Sequence, residues 1–70
     1  MIKFELREDD EYIELIKLLK VMHICSSGAE AKIIVDNGEV KLNGEEESRK
    51  RAKIRSGDIV EVFEEKIKVE

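Results

Sequence analysis

Gly38-Glu39-Val40-Lys41-Leu42-Asn43-Gly44 is the stretch that decides the fold. Val40-Lys41-Leu42 alternates apolar and polar residues, as a half-buried strand does. Asn43-Gly44 follows as the strongest short hairpin signal, because a type I′ turn needs positive φ at both central residues and these two tolerate it. Just upstream, Asn37-Gly38 closes an apolar-periodic segment, and glycine readily adopts the left-handed conformation that ends helices. The stretch is thus a junction of helix end, strand and tight turn.

Working upstream, Ser27-Gly28-Ala29-Glu30 has capping-box spacing, with a serine cap and a glutamate three residues on. It predicts a second helix running to about Asp36, with small Ala29 and Ala31 permitting close approach to a partner. Before it, Tyr12 to about Met22 reads as an amphipathic helix, with Ile13, Leu15, Ile16, Leu18, Leu19 and Met22 on a broad apolar face. Glu8-Asp9-Asp10-Glu11 supplies the negative charge that favours a helix start. Ile2 to Arg7 alternates as a strand with Ile2, Phe4 and Leu6 inward. Downstream, Glu45-Glu46-Glu47 makes a weak return strand. Gly57-Asp58 marks a turn into a strand over Ile59 to Phe63, with Phe63 and Phe4 at core positions. Lys66 to Val69 is a last strand with Ile67 and Val69 inward. One strand, two helices and several short strands make an α+β domain, expected to be a single one over residues 1–70.

Seventy residues lie near the lower limit for folding on burial alone and leave little room for a catalytic cleft. Charged residues are 43% of the chain and apolar ones 41%, but the apolar ones are strongly patterned, which argues against disorder. One cysteine, Cys25, makes no internal disulfide and fits a reducing compartment. The N-terminus lacks an apolar leader core and no apolar run reaches the length of a membrane span. A cytoplasmic protein without membrane contact is expected, and a monomer. His23 and Cys25 fall short of the four ligands of a structural metal site, so no metal and no cofactor are expected. Nor do they supply the third group and cleft that a Cys–His nucleophile needs. No catalytic residue is assigned.

The formal net charge is −4, yet Arg49-Lys50-Arg51-Ala52-Lys53-Ile54-Arg55 holds five cations in seven residues. Extended backbone would put Arg49, Arg51, Lys53 and Arg55 on one face, with Ala52 and Ile54 anchoring the other. Such a row, its members roughly 6.6 Å apart, suits a polyanion. The competing reading is a solvated, charge-rich edge that blocks aggregation. The start of the second helix, at Ser27 and Gly28, offers backbone N–H groups to an anion, although capping alone accounts for both Ser27 and Glu30.

The succession of helix, tight cap and second helix, then Gly38 to Gly44 and Gly57-Asp58-Ile59-Val60, resembles the S-four RNA-binding domain, or alpha-L RNA-binding motif. The likeness covers roughly Tyr12 to Phe63. Ser27-Gly28-Ala29, Ala31-Lys32, Ser48-Arg49-Lys50-Arg51 and Lys53-Ile54 are most similar to its stand-alone bacterial, ribosome-associated subgroup. The resemblance implies a two-helix alpha-L motif followed by a small, mostly antiparallel sheet. It implies non-catalytic binding of structured RNA, ribosomal or transfer RNA, in ribosome assembly or translation. Gly28 stands where many members have arginine, and Glu11-Tyr12-Ile13 where many have Arg-Leu-Asp. The expected RNA-binding set is therefore Lys32, Lys41, Arg49, Lys50, Arg51, Lys53 and Arg55, with Lys32, Lys41, Arg51 and Lys53 converging on one surface. An alternative stays open: the acids at 8–11 and 45–47 would dock a basic ribosomal protein or an RNA enzyme.

Overall fold

A computed structural model describes residues 1–70. Two helices, α1 (Leu15–Val21) and α2 (Gly28–Asp36), accompany seven short strands. These are β1 (Ile2–Phe4), β2 (Ile13–Glu14), β3 (Val40–Leu42), β4 (Glu45–Glu46), β5 (Lys53–Ile54), β6 (Ile59–Val62) and β7 (Glu65–Val69). The fold is α+β. Five strands form one sheet in the order β1-β7-β6-β3-β4, parallel only at β1–β7, and β2 pairs with β5 in a separate antiparallel ladder.

Neither helix is long enough to stand alone in water, so burial must stabilise both. Leu15, Leu18 and Leu19 recur at helical spacing and are fully buried. They meet Ala31 and Val35 of α2, and Val40, Val60, Val62, Ile67 and Val69 from one face of the sheet. Each buried leucine contributes on the order of 1.5–3 kcal/mol relative to exposure. Ile13, Ala52 and Ile54 of the small ladder complete the same core.

Both helices end in the same way. At α2, Gly38 N–H bonds to the Val35 carbonyl (3.1 Å) and Glu39 N–H to that of Ile34 (3.3 Å), with Gly38 at φ 74°. At α1, His23 N–H bonds to Lys20 O and Ile24 N–H to Leu19 O, both at 3.0 Å, and His23 carries the left-handed φ of 60°. These are two Schellman closures, one built with glycine and one without.

Four expectations need correction. Ile2 is not inward but 37% exposed, and the first strand ends at Phe4 rather than Arg7. The first helix begins at Leu15, not Tyr12, because Ile13-Glu14 is extended and pairs with Lys53-Ile54. The acids at 8–11 consequently do not sit on a helix start; Asp10 N–H closes a turn onto the Arg7 carbonyl (3.0 Å), and the first turn of α1 holds no acid. Phe63 is not a core residue. The β6–β7 hairpin pairs Val62 with Glu65, leaving Phe63 and Glu64 as its two-residue turn at φ 50° and 70°, with Phe63 52% exposed.

The paired Schellman closures generate mutations of opposite sign. Gly38→Ala should destabilise by about 1 kcal/mol, since its φ disfavours a Cβ. His23→Gly should stabilise by up to about 1 kcal/mol, because it removes the same strain from α1. Urea midpoints of the two variants, moving in opposite directions from wild type, are the check.

Candidate nucleic-acid interface

The basic run is fixed from beneath and at both ends. Leu15 N–H donates to the Ala52 carbonyl (2.9 Å) and Ile16 N–H to that of Lys50 (3.2 Å), so the run's own backbone caps α1, which has no side-chain cap. Ala52 and Ile54 are buried in the core while Arg49, Arg51, Lys53 and Arg55 are exposed. At the far end, Asp58 accepts from Arg55 N–H (2.8 Å) and from the Asn43 amide (3.1 Å), and Asn43 Oδ1 accepts from Ile59 N–H (2.9 Å). The hairpin turn and the Gly57-Asp58 turn are thereby one hydrogen-bonded unit. Only Lys53-Ile54 is a true strand; Lys50 and Arg51 form a turn, so the row of cations is bent.

The seven cations have different surroundings. Glu47, nearly buried, accepts from Arg49 at three points: the backbone N–H (2.9 Å), Nε (3.0 Å) and Nη2 (3.1 Å). These bonds hold the Glu47 carboxyl below its ordinary 4.5, the guanidinium contributing most. Lys50 pairs with Asp36 at the end of α2 (3.2 Å). Lys32 lies one turn before Asp36 and so shares its side of α2. Arg51, Lys53, Arg55, Lys32 and Lys41 form no ion pair. Lys41 projects from the open face of the sheet, and its cross-strand neighbours there are Glu46 and Glu61 rather than the other cations. At the start of α2, Ser27 Oγ accepts from Glu30 N–H (3.2 Å). The Glu30 carboxylate turns back to accept from Ser26 N–H (2.8 Å) and the Ser26 hydroxyl, and so already lies beside Ser27 and Gly28. The Ser26 bonds, the hydroxyl's first, lower its pKa.

Tyr12 is the residue that sequence reasoning missed. It precedes the buried Ile13–Ile54 pair, and the same register carried one residue further sets it across from Arg55. Lys53 Nζ lies 5.1 Å and Arg55 Cζ 5.7 Å from its ring centroid. The available signal was Tyr12-Ile13, two strand formers directly ahead of the helix.

Glu47 gives this region a pH signature. Its folded-state pKa lies below the unfolded one, so its contribution is present above about 4.5 and lost as pH falls through the lowered value. Glu47→Gln should be less stable than wild type at neutral pH, and the gap should close in acid. Thermal melts of both proteins across that range measure it.

The comparisons agree with this architecture. An S4 domain model matches residues 4–70. YbcJ of Escherichia coli, whose name points to RNA binding, is 47% identical over 49 residues, 70% of each chain. RlbA of Bacillus subtilis, whose name points to ribosome maturation, is 37% identical over 54 residues, covering 77% of this chain and 76% of RlbA. The solution structure of YbcJ, described by its alpha-L motif involved in RNA-binding, superposes with a TM-score of 0.74 at 39% identity, over 99% of this chain and 86% of that one. With its paired helices, glycine-closed hairpin and nearly full-length match, the chain belongs to the S4 domain family.

Proposed function

We propose that this protein binds structured RNA, ribosomal or transfer RNA, without catalysis, as a monomeric cytoplasmic domain acting in ribosome assembly or translation. The observation that carries the reading is the state of the cations. Arg51, Lys53 and Arg55 stand in solvent with no carboxylate partner, on backbone anchored by Ala52, Ile54 and the start of α1. Lys32 and Lys50 extend that surface onto α2. Such groups neutralise phosphates and release condensed counterions at little ordering cost. Arginine adds a planar fork for phosphate oxygens. YbcJ's motif is involved in RNA-binding and RlbA's name concerns ribosome maturation, which supports the same class of partner for this chain.

A second reading has its own observation. A groove of about 730 Å³ between the N-terminal segment and α1 combines Phe4 and Leu6 with Asp9, Asp10, Glu11 and Glu14. Its charge suits a basic protein segment. Crosslinking in cells separates the two readings: attached RNA supports the first, and protein partners without RNA the second.

Counterion release makes the RNA reading quantitative. Contact with about four phosphates gives a log–log salt slope of about −3 to −4. Joint replacement of Lys32, Arg51 and Lys53 by alanine should flatten it by about two units. Arg49 is left intact, because its loss strands a nearly buried Glu47. The three chosen positions are exposed and form no ion pair, so Lys32→Ala and Arg51→Ala should each alter stability by no more than about 0.5 kcal/mol, and Lys53→Ala by up to about 1 kcal/mol through its contact with the Tyr12 ring. The measurement is a salt titration on ribosomal RNA fragments, and equal slopes would reduce the basic run to a solvated edge.

A further inference from the structure

Tyr12 is the chain's single tyrosine, and there is no tryptophan. It is 37% exposed, outside the core, one residue before β2, while Arg55 lies one residue after β5, so the antiparallel register carried one step further sets the two across from each other. Two cations approach this one ring, at 5.1 and 5.7 Å from its centroid. A cation–π contact at an exposed site contributes about 0.5–1 kcal/mol, and one would suffice to steady the ladder. Bringing two like charges to one ring costs repulsion. Neither cation is balanced by a carboxylate, although Glu14 lies directly across from Lys53. Both lie within the roughly 6 Å reach of a cation–π contact, but no ion pair holds either side chain in place, so a competing anion can draw them off the ring.

We propose that Tyr12, Lys53 and Arg55 form a nucleotide subsite, in which an unpaired base stacks on the Tyr12 ring while its flanking phosphates pair with Lys53 and Arg55. The inference rests on the RNA-binding reading and deepens it by naming the element bound: an unpaired nucleotide in a folded RNA. The chemistry matches on both counts. A base has a π-face for the phenol ring, and phosphates compete for the cations that cover that ring in the free protein. The buried Ile13–Ile54 pair fixes the backbone of the ladder from below, so only the two cationic side chains must move for a base to reach the ring.

Because Tyr12 is the sole fluorophore of its kind, its intrinsic emission reports directly on the subsite. The probes are a short RNA hairpin with an unpaired loop and a blunt RNA duplex carrying the same number of phosphates, each also titrated by anisotropy of an end label. The hairpin should quench Tyr12 saturably and bind about ten-fold more tightly than the duplex at equal salt, the size of one base stacked on an aromatic ring. Tyr12→Leu should bring hairpin affinity down to the duplex level without changing duplex affinity, and Tyr12→Phe should keep the hairpin preference. If hairpin and duplex bind alike, with no quenching and no effect of Tyr12→Leu, the subsite is overturned while RNA binding stands. If Tyr12→Leu weakens duplex binding equally, the ring serves only to hold the ladder, which also overturns the subsite. Failure of both RNAs to bind wild type at low salt removes the subsite and the RNA reading together.

Discussion

Two hydrogen bonds join α1 to the basic run: Leu15 N–H to the Ala52 carbonyl and Ile16 N–H to the Lys50 carbonyl. The first N–H groups of a helix have no partner within it, and leaving them buried and unsatisfied costs free energy. Most helices answer with a serine, threonine or aspartate cap, as α2 does with Ser27. α1 instead takes two carbonyls from residues more than thirty positions away. The consequence reaches well beyond α1. The same backbone that caps the helix must hold a fixed course, which sends Ala52 and Ile54 into the core and their neighbours into solvent. Stability of the helix pair and placement of the cations are therefore one constraint.

Charge follows the same division of labour. The two ion pairs lie on the early side of the run: Glu47 grips Arg49 at three points, and Asp36 ties Lys50 to α2. These pairs fix the entry of the run and its seam with the helix. Beyond them, Arg51, Lys53 and Arg55 are left unpaired. A net charge of −4 does not contradict an anion-binding surface built this way. At physiological salt, exposed charges farther than about 8 Å are largely screened, so the local arrangement governs the encounter.

Local chemistry made much of this fold legible. Ser27 caps α2, Gly38 takes the left-handed closure, Asn43-Gly44 turns the β3–β4 hairpin, and Ala52 and Ile54 point inward from the basic run. Each signal lies within a few residues of what it determines. The misplaced features depend on distant partners. Ile13-Glu14 is extended because Lys53-Ile54 lies beside it, and two residues are too few to show a period of their own. Tyr12 could not be joined to Lys53 and Arg55 without that register. Lys41 fits the strand alternation, but only the sheet order shows that Glu46 and Glu61 are its neighbours. The acids at 8–11 resemble a helix start until α1 is found capped by other means.

The two hairpins show how local and long-range terms exchange roles. The β3–β4 ladder has only two residue pairs, Lys41 with Glu46 and Leu42 with Glu45, and strand propensity there is poor. Its turn is Asn43-Gly44, which adopts positive φ with least strain, and Asn43 is further tied to Asp58 and Ile59. The β6–β7 ladder has four pairs, two of them contributed by buried Val60 and Val62. It holds Phe63-Glu64 in the same left-handed turn although neither residue favours it, at a cost on the order of 1 kcal/mol per residue. Turn chemistry is thus strongest where the ladder is weakest. The weak ladder is also the one whose return strand leads through Glu47 into the basic run. A slip at Asn43-Gly44 would pull the Glu47 N–H off the Val40 carbonyl and break the Asn43 bonds to Asp58 and Ile59, so both ends of the run would lose their tie to the sheet. The asparagine and glycine at this turn therefore bear on function through geometry, by setting where the cations begin and end.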